Sequence, residues 1–164
     1  MKYLSKAVAF SGPSNSGKTT LIEKLSKILS PNYKVLIIKH DPKDKAKFDV
    51  EGKDSYKFFE SGADTVVLSP TRTTYFSHQR REVTDIVEMF EFDYLLVEGL
   101  KEIDLPRISI FRDKIISEYL PYSNAIAVDD TVKIPSDLKV DVLDLNKTNE
   151  ILKWINKNAK VVKS

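Results

Sequence analysis

Gly12-Pro13-Ser14-Asn15-Ser16-Gly17-Lys18-Thr19 reads G-x-x-x-x-G-K-[ST]. The apolar run Ala7-Val8-Ala9-Phe10 precedes it, and Leu21, Ile22, Leu25, Ile28 and Leu29 follow at helical spacing. Strand, glycine-containing loop and helix in that order are the context that makes the pattern a phosphate-binding P-loop. Each residue type has a chemical reason. Gly12 and Gly17 let the backbone turn tightly and approach an anion without a Cβ in the way. The amides from Asn15 to Thr19 then point at phosphate oxygens from a helix N-terminus, where the helix dipole favours negative charge. Lys18 adds a mobile cation for the terminal phosphates, and the Thr19 hydroxyl is a hard oxygen suited to Mg²⁺. Thr20 continues the cradle into the helix. A chance match to this pattern is expected in roughly 1 of 200 chains of this length at average composition. The flanking strand and helix argue against chance here.

The rest of the composition narrows the class. With 164 residues, one domain spanning 1–164 is expected, long enough to bury a core. The formal net charge of +2 is small and dispersed, which gives no argument for a nucleic-acid surface. There are no cysteines, so disulfides, thiolate zinc sites and thiol nucleophiles are excluded. Met1-Lys2-Tyr3-Leu4-Ser5-Lys6 runs straight towards the first strand without the apolar stretch of a signal peptide, and no segment approaches the ~18 apolar residues of a membrane span. A soluble cytoplasmic protein is the expectation.

Along the chain, apolar strands alternate with helices. Pro31 closes the first helix near Leu29. Lys34–Lys39 reads as a strand buried on both faces. A charged irregular stretch from His40 to Gly52 follows, long enough to suggest function. Asp54–Ser61 reads as a short helix stopped by Gly62. Thr65–Leu68 and Thr73–Phe76, separated by Ser69-Pro70-Thr71-Arg72, form a hairpin signal, so part of the sheet is expected to be antiparallel. Glu82–Phe90 is helical. Tyr94–Val97, Ile108–Phe111, Ala125–Val128 and Asp141–Leu145 are strands, and the chain is expected to close on a helix from about Thr148 with Ile151, Leu152 and Ile155 inward. The pattern predicts an α/β, P-loop NTPase-like three-layer fold, with a mainly parallel central sheet and an antiparallel hairpin.

Ligands of an open parallel sheet bind at the carboxyl ends of its strands, which ranks the remaining candidates. In Asp93-Tyr94-Leu95-Leu96-Val97-Glu98 only Glu98 stands at that end, where an acid can help order phosphate-bound Mg²⁺ (the Walker B position); Asp93 reads as structural. Asp41 and His40 close the second strand. Asp41 is a candidate to order metal or water, although polar residues entering a loop need no function. Asp49 and Gly52-Lys53-Asp54-Ser55 form a second cluster. It is either a segment closing on the terminal phosphate, with Asp49 a further metal candidate, or a helix start capped by Asp54 or Ser55. Catalytic candidates are thus Lys18, Glu98 and Asp41; metal candidates are Thr19, Glu98 and Asp49. Lys101, Arg107 and Arg112 are cations from which one could serve the phosphoryl group. His78 reads as bland. Base recognition is poorly specified. Asn146-Lys147-Thr148-Asn149 falls one carboxylate short of N-K-x-D and is equally explained by helix capping through Asn146 or Thr148. Asp129 and Asp130 are comparable candidates.

Three pieces taken together carry a resemblance. They are Gly12 to Thr20; Lys39-His40-Asp41 with Asp49 and Gly52-Lys53-Asp54-Ser55; and Asp93 to Val97 with Glu98-Gly99-Leu100-Lys101. In that order and spacing, over about residues 7–130, the chain resembles the molybdopterin-guanine dinucleotide biosynthesis protein B (MobB) family. Ser61-Gly62-Ala63 and Leu105-Pro106-Arg107-Ile108 also fit. The resemblance implies a GTP-binding accessory protein with weak Mg²⁺-dependent GTPase activity in molybdenum cofactor maturation. It implies a homodimer that works beside the guanylyltransferase acting on molybdopterin. Guanine specificity is implied by the resemblance alone. The competing expectations are a small-molecule kinase using Asp41 or Asp49 as base, and an adapter whose nucleotide only sets its conformation.

Overall fold

The computed structural model describes residues 4–163. Met1–Tyr3, part of the segment read as leading into the first strand, and Ser164 lie outside them. The chain divides into two compact units, one made of residues up to His40 together with those from Phe90 on, the other of Asp41–Met89.

The first unit carries the P-loop. Its elements are β1 (Ser5–Ser11), α1 (Lys18–Leu29) and β2 (Val35–Lys39). After the excursion through the second unit come β5 (Tyr94–Glu98), β6 (Arg107–Phe111), a 3-10 turn (Ser117–Tyr122), β7 (Ala125–Val128), β8 (Asp141–Asp144), α4 (Thr148–Asn158) and β9 (Lys160–Lys163). The second unit holds α2 (Asp54–Glu60), β3 (Thr65–Leu68), β4 (Thr73–Phe76) and α3 (Val83–Met89).

Among the described residues the main sheet runs β2-β5-β1-β6-β7-β8, all parallel, so that β1 lies at its middle. The apolar runs place the strands as expected: Ala7, Ala9, Phe10, Leu95, Leu96, Val97, Ile108, Ile110 and Ile126 are all fully buried. Side chains alternate between faces. Val8, Phe10, Leu96, Ile108 and Ile110 pack with Leu21, Ile22 and Leu25 of α1 and Ile151, Trp154 and Ile155 of α4. Phe111, Ile126 and Val128 face the other way, under the 3-10 turn residues Tyr119 and Leu120 and the loop residues Ile115 and Ile116. The mainly parallel α/β sheet with layers on both faces is therefore as the sequence predicts.

Several expectations are corrected. β2 is not buried on both faces: it is the edge strand, and Ile37 is 43% exposed. A run of Val-Leu-Ile-Ile fits a centre or an edge equally well, and only strand order distinguishes them. The hairpin forms its own two-stranded sheet, β3–β4, rather than joining the main one. The antiparallel strand of the main sheet is β9, paired with Ser5–Ala7 of β1. Because β5 occupies one edge of β1 and β6 pairs only from Ala9 to Ser11, β9 fills the unused half of the same edge that β6 takes. The chain thus closes on a strand rather than on α4. In α4 itself Trp154 takes the inward place given to Leu152, which is half-buried, and its indole N–H donates to Asp141 at 2.7 Å.

In the second unit, Asp64 organises the hairpin. Its carboxylate accepts the Tyr75 hydroxyl at 3.0 Å, the Ser77 hydroxyl at 2.9 Å and the His78 amide at 2.9 Å. The His78 ring stacks on Phe59 at 3.9 Å and bonds the Phe59 carbonyl, so the residue read as bland has a structural place between α2 and the hairpin.

Candidate functional site

The loop between β1 and α1 is shaped by backbone demands. Gly12 has φ 133° and Gly17 φ 99°, both in the region that side chains avoid, and Asn15 joins them at φ 63°. A Cβ on Gly12 would overlap the Ile110 carbonyl oxygen. Gly17 stands at the N-cap of α1 and supplies no side-chain cap, and the first turn has no acidic residue. The amides of Lys18, Thr19 and Thr20 have no intrahelical acceptor, as in any first turn, and the first helical bond runs from Leu21 to Gly17 at 2.9 Å. Ser16 is 3% exposed, and among the described residues its hydroxyl has no hydrogen-bond partner. A buried hydroxyl without a partner among the described residues, beside first-turn amides that have no helical acceptor, fits a polyphosphate better than a merely structural turn.

The Lys18 ammonium donates to the carbonyls of Gly12 at 3.0 Å and Pro13 at 2.6 Å. Burial lowers its affinity for the proton. The Glu98 carboxylate pulls it back up, and the neighbouring Lys39 pushes it down. Glu98 is the carboxylate that the fold brings to Lys18. It ends β5 in register with Phe10 on one side and Lys39 on the other, so its side chain lies on the α1 face of the sheet, as Phe10 does. Asp93, at the opposite end of β5, accepts the Lys34 amide at 2.7 Å, the structural role read for it.

Arg112, one step past β6, lies against the loop. A Cβ on Gly17 would sit 3.4 Å from its guanidinium, which is 3.8 Å from the Asp129 carboxylate at the end of β7. Asp129 is further held by the hydroxyl of Thr131 and by its amide, and its carboxyl is shifted below the usual carboxylate range by these bonds and by Arg112. Of the other cations, Lys101 is engaged with Glu118 and the Tyr119 ring, and Arg107 is fully buried. His40 packs on Gly99, its Cβ 3.1 Å from where a Gly99 Cβ would lie.

Asp41 and Asp49 belong to the second unit. Asp41 accepts the amides of Lys45 at 2.7 Å and Ala46 at 2.6 Å. Asp49 accepts its neighbour Val50 and the Ser55 hydroxyl, leaving its other oxygen buried without a partner among the described residues. The N-cap of α2 is Lys53 rather than Asp54 or Ser55, and that of α4 is Lys147 rather than Asn146 or Thr148; neither makes a side-chain cap bond. Ser55 turns back to Asp49 and the Asn146 amide donates to Asp144. Local side-chain chemistry allowed those caps, but the cap of each helix falls one residue before Asp54 and Thr148, and Ser55 and Asp54 are engaged with Asp49 and Lys57 nearby in the chain. What sequence reading missed is Ser11, whose hydroxyl accepts from Arg107 at 2.6 Å. A serine ending a strand carries no distinguishing signal.

The model of the family described as "Molybdopterin guanine dinucleotide synthesis protein B" (MobB) matches residues 7–130. The chain is 30% identical to a putative molybdopterin-guanine dinucleotide biosynthesis adapter protein of Methanocaldococcus jannaschii, over 76% of this chain and 55% of that protein. It is 30% identical to the corresponding adapter protein of Escherichia coli, over 95% of this chain and 97% of that one. The crystal structure of Bacillus subtilis MobB superposes with a TM-score of 0.70 at 25% identity, covering 90% of this chain and 96% of that one. With a P-loop of this geometry inside the matched region, the chain belongs to the MobB family.

Proposed function

We propose that the protein is a nucleotide-binding adapter of molybdopterin guanine dinucleotide biosynthesis that binds GTP with Mg²⁺ and hydrolyses it slowly. The observation that carries the reading is the buried Ser16 hydroxyl, unpartnered among the described residues, inside a loop with two positive-φ glycines and first-turn amides that have no helical acceptor. In this reading residues Gly12–Thr20 hold the phosphates, with Lys18 as counter-charge. The Thr19 hydroxyl and Glu98 hold Mg²⁺, which supplies charge neutralisation at the phosphates. Arg112, half-exposed beside Gly17, adds a further cation at the loop. Within the second unit, Asp41 is engaged with the Lys45 and Ala46 amides, so ordering water or metal would cost it those bonds, whereas Asp49 keeps one buried oxygen without a partner among the described residues. For guanine, Asp130 is the better of the two β7-exit candidates, because Asp129 is committed to Thr131 and Arg112.

A homodimer is part of the proposal. A two-stranded sheet is marginal alone, and β3–β4 presents open edges with Val66 54% and Leu68 77% exposed. The partners expected are the guanylyltransferase and molybdopterin, in the cytoplasm. No described helix is long and apolar enough to cross a membrane.

Nucleotide competition tests the reading: GTP against ATP, each with Mg²⁺ and with EDTA. A GTP preference that Lys18→Ala abolishes supports it. Equal binding of ATP removes guanine from the account, and no binding of either removes the nucleotide.

A further inference from the structure

Arg107 opens β6 and is 1% exposed. It is registered with Ala9, on the face of the sheet away from α1, since its neighbour Ile108 packs with α1. Among the described residues no carboxylate lies within ion-pair distance of it. One guanidinium nitrogen donates to the Ser11 hydroxyl at 2.6 Å and the Gly99 carbonyl at 2.9 Å, and another to the Leu100 carbonyl at 2.6 Å. Burial alone lowers its hold on the proton. A buried cation satisfied only by neutral acceptors is a costly way to fill space, and an apolar side chain of similar volume would serve the core better. Its value lies in what it joins.

It joins the two segments that carry the phosphate site. Ser11 is the last residue before the P-loop. Gly99 and Leu100 follow Glu98 directly and turn the chain with φ 91° and φ 50°, a conformation unusual for leucine. The same turn is pinned from above by the Gly99 amide on the Phe10 carbonyl at 3.0 Å and by the His40 amide on the Glu98 carbonyl at 3.0 Å. Among the described residues the Glu98 carboxylate has no hydrogen bond or ion pair of its own. Its main chain is held on both sides by the ladder to Phe10 and Lys39, and the turn that follows it is braced by Arg107 through the Gly99 and Leu100 carbonyls.

We propose that Arg107 is a positioning residue that locks the Gly99–Leu100 turn to Ser11 and so sets the Glu98 carboxylate against the P-loop for the divalent ion. The inference rests on the reading that this site takes a nucleotide with Mg²⁺. An indirect support of this kind is typically worth 10–100-fold in metal affinity.

The test compares wild type with Arg107→Met, Arg107→Lys and the milder Ser11→Ala in two measurements. The first is GTP titration in EDTA and across a Mg²⁺ series. For Arg107→Met the expected result is affinity in EDTA within about threefold of wild type, with the Mg²⁺ half-saturation raised about tenfold or more and partly restored by lysine. Equal losses with and without Mg²⁺, or an unchanged Mg²⁺ dependence, overturn the proposal. The second is hydrogen exchange without nucleotide, where the amides of residues 99–101 are expected to exchange faster while the core of β1 and β5 stays protected. If wild type binds no nucleotide, the proposed function fails and exchange alone decides the clamp: unchanged exchange at 99–101 in every variant overturns it. If Arg107→Met does not fold, Arg107→Lys and Ser11→Ala carry the same readouts.

Discussion

Gly12 shows how tightly one position can be specified. Its φ of 133° is strained for any L-residue, and the Ile110 carbonyl occupies the place of a Cβ. Gly12→Ala is expected to lower stability by about 2–4 kcal/mol, read from urea unfolding, because strain and overlap add. Loss below about 1 kcal/mol would mean that the loop can open without cost. Asp130 gives a prediction on specificity. Replacing its carboxylate by an amide, Asp130→Asn, turns one acceptor towards the base into a donor. GTP affinity is expected to fall by about 1–3 kcal/mol in a binding titration, with XTP rising relative to GTP. Unchanged GTP affinity would exclude Asp130 from the base site.

Among the elements, α1 is anchored by one buried stripe, Leu21, Ile22, Leu25 and Leu29. Leu25 is fully buried between the sheet and α4, so Leu25→Ala should cost about 3 kcal/mol in chemical denaturation, in the range of core leucines. The hairpin of the second unit is instead expected to respond to pH. The His78 amide, then the Ser77 hydroxyl, hold the Asp64 carboxyl below its ordinary value in the folded state. A depressed folded value means that its contribution is fully present above the unfolded value and fades as the pH falls through the folded one. Acid titration followed by NMR should therefore loosen Tyr75, Ser77 and His78 together at the acid end of the aspartate range. Asp64→Asn should loosen them at neutral pH. Loosening of His78 without Tyr75 and Ser77 would show that the Asp64 carboxylate is not the cause. The surface ion pairs, such as Lys27 with Glu23, are exposed on both sides and are not expected to matter measurably.

Two properties belong to the assembled protein. A ligand that binds only the folded chain stabilises it by mass action, about 2.7 kcal/mol at a hundred times its dissociation constant. GTP with Mg²⁺ should therefore raise the melting temperature while ATP at equal concentration does not, and a thermal scan without either shift would count against the proposed ligand. The second property is association. If β3–β4 is the contact between two copies, Leu68→Glu should shift sedimentation from dimer to monomer and leave GTP binding in place; an unshifted dimer would move the interface elsewhere.

The P-loop, the alternation of strands and helices and the acid at the end of β5 were all readable from residue order. Each is a local matter: glycines at fixed spacing, apolar runs with period two or 3.6, and one polar residue where a strand stops. The edge position of β2, the insertion of β9 beside β1, the seating of Arg112 on Gly17 and the clamp from Arg107 to Ser11 and Leu100 were not readable. They depend on which strands become neighbours, a choice made by burial of the assembled sheet between residues as far apart as Ser5 and Lys163. Local residue order determined that a loop of P-loop form would join β1 to α1, and long-range packing decided which side chains surround it.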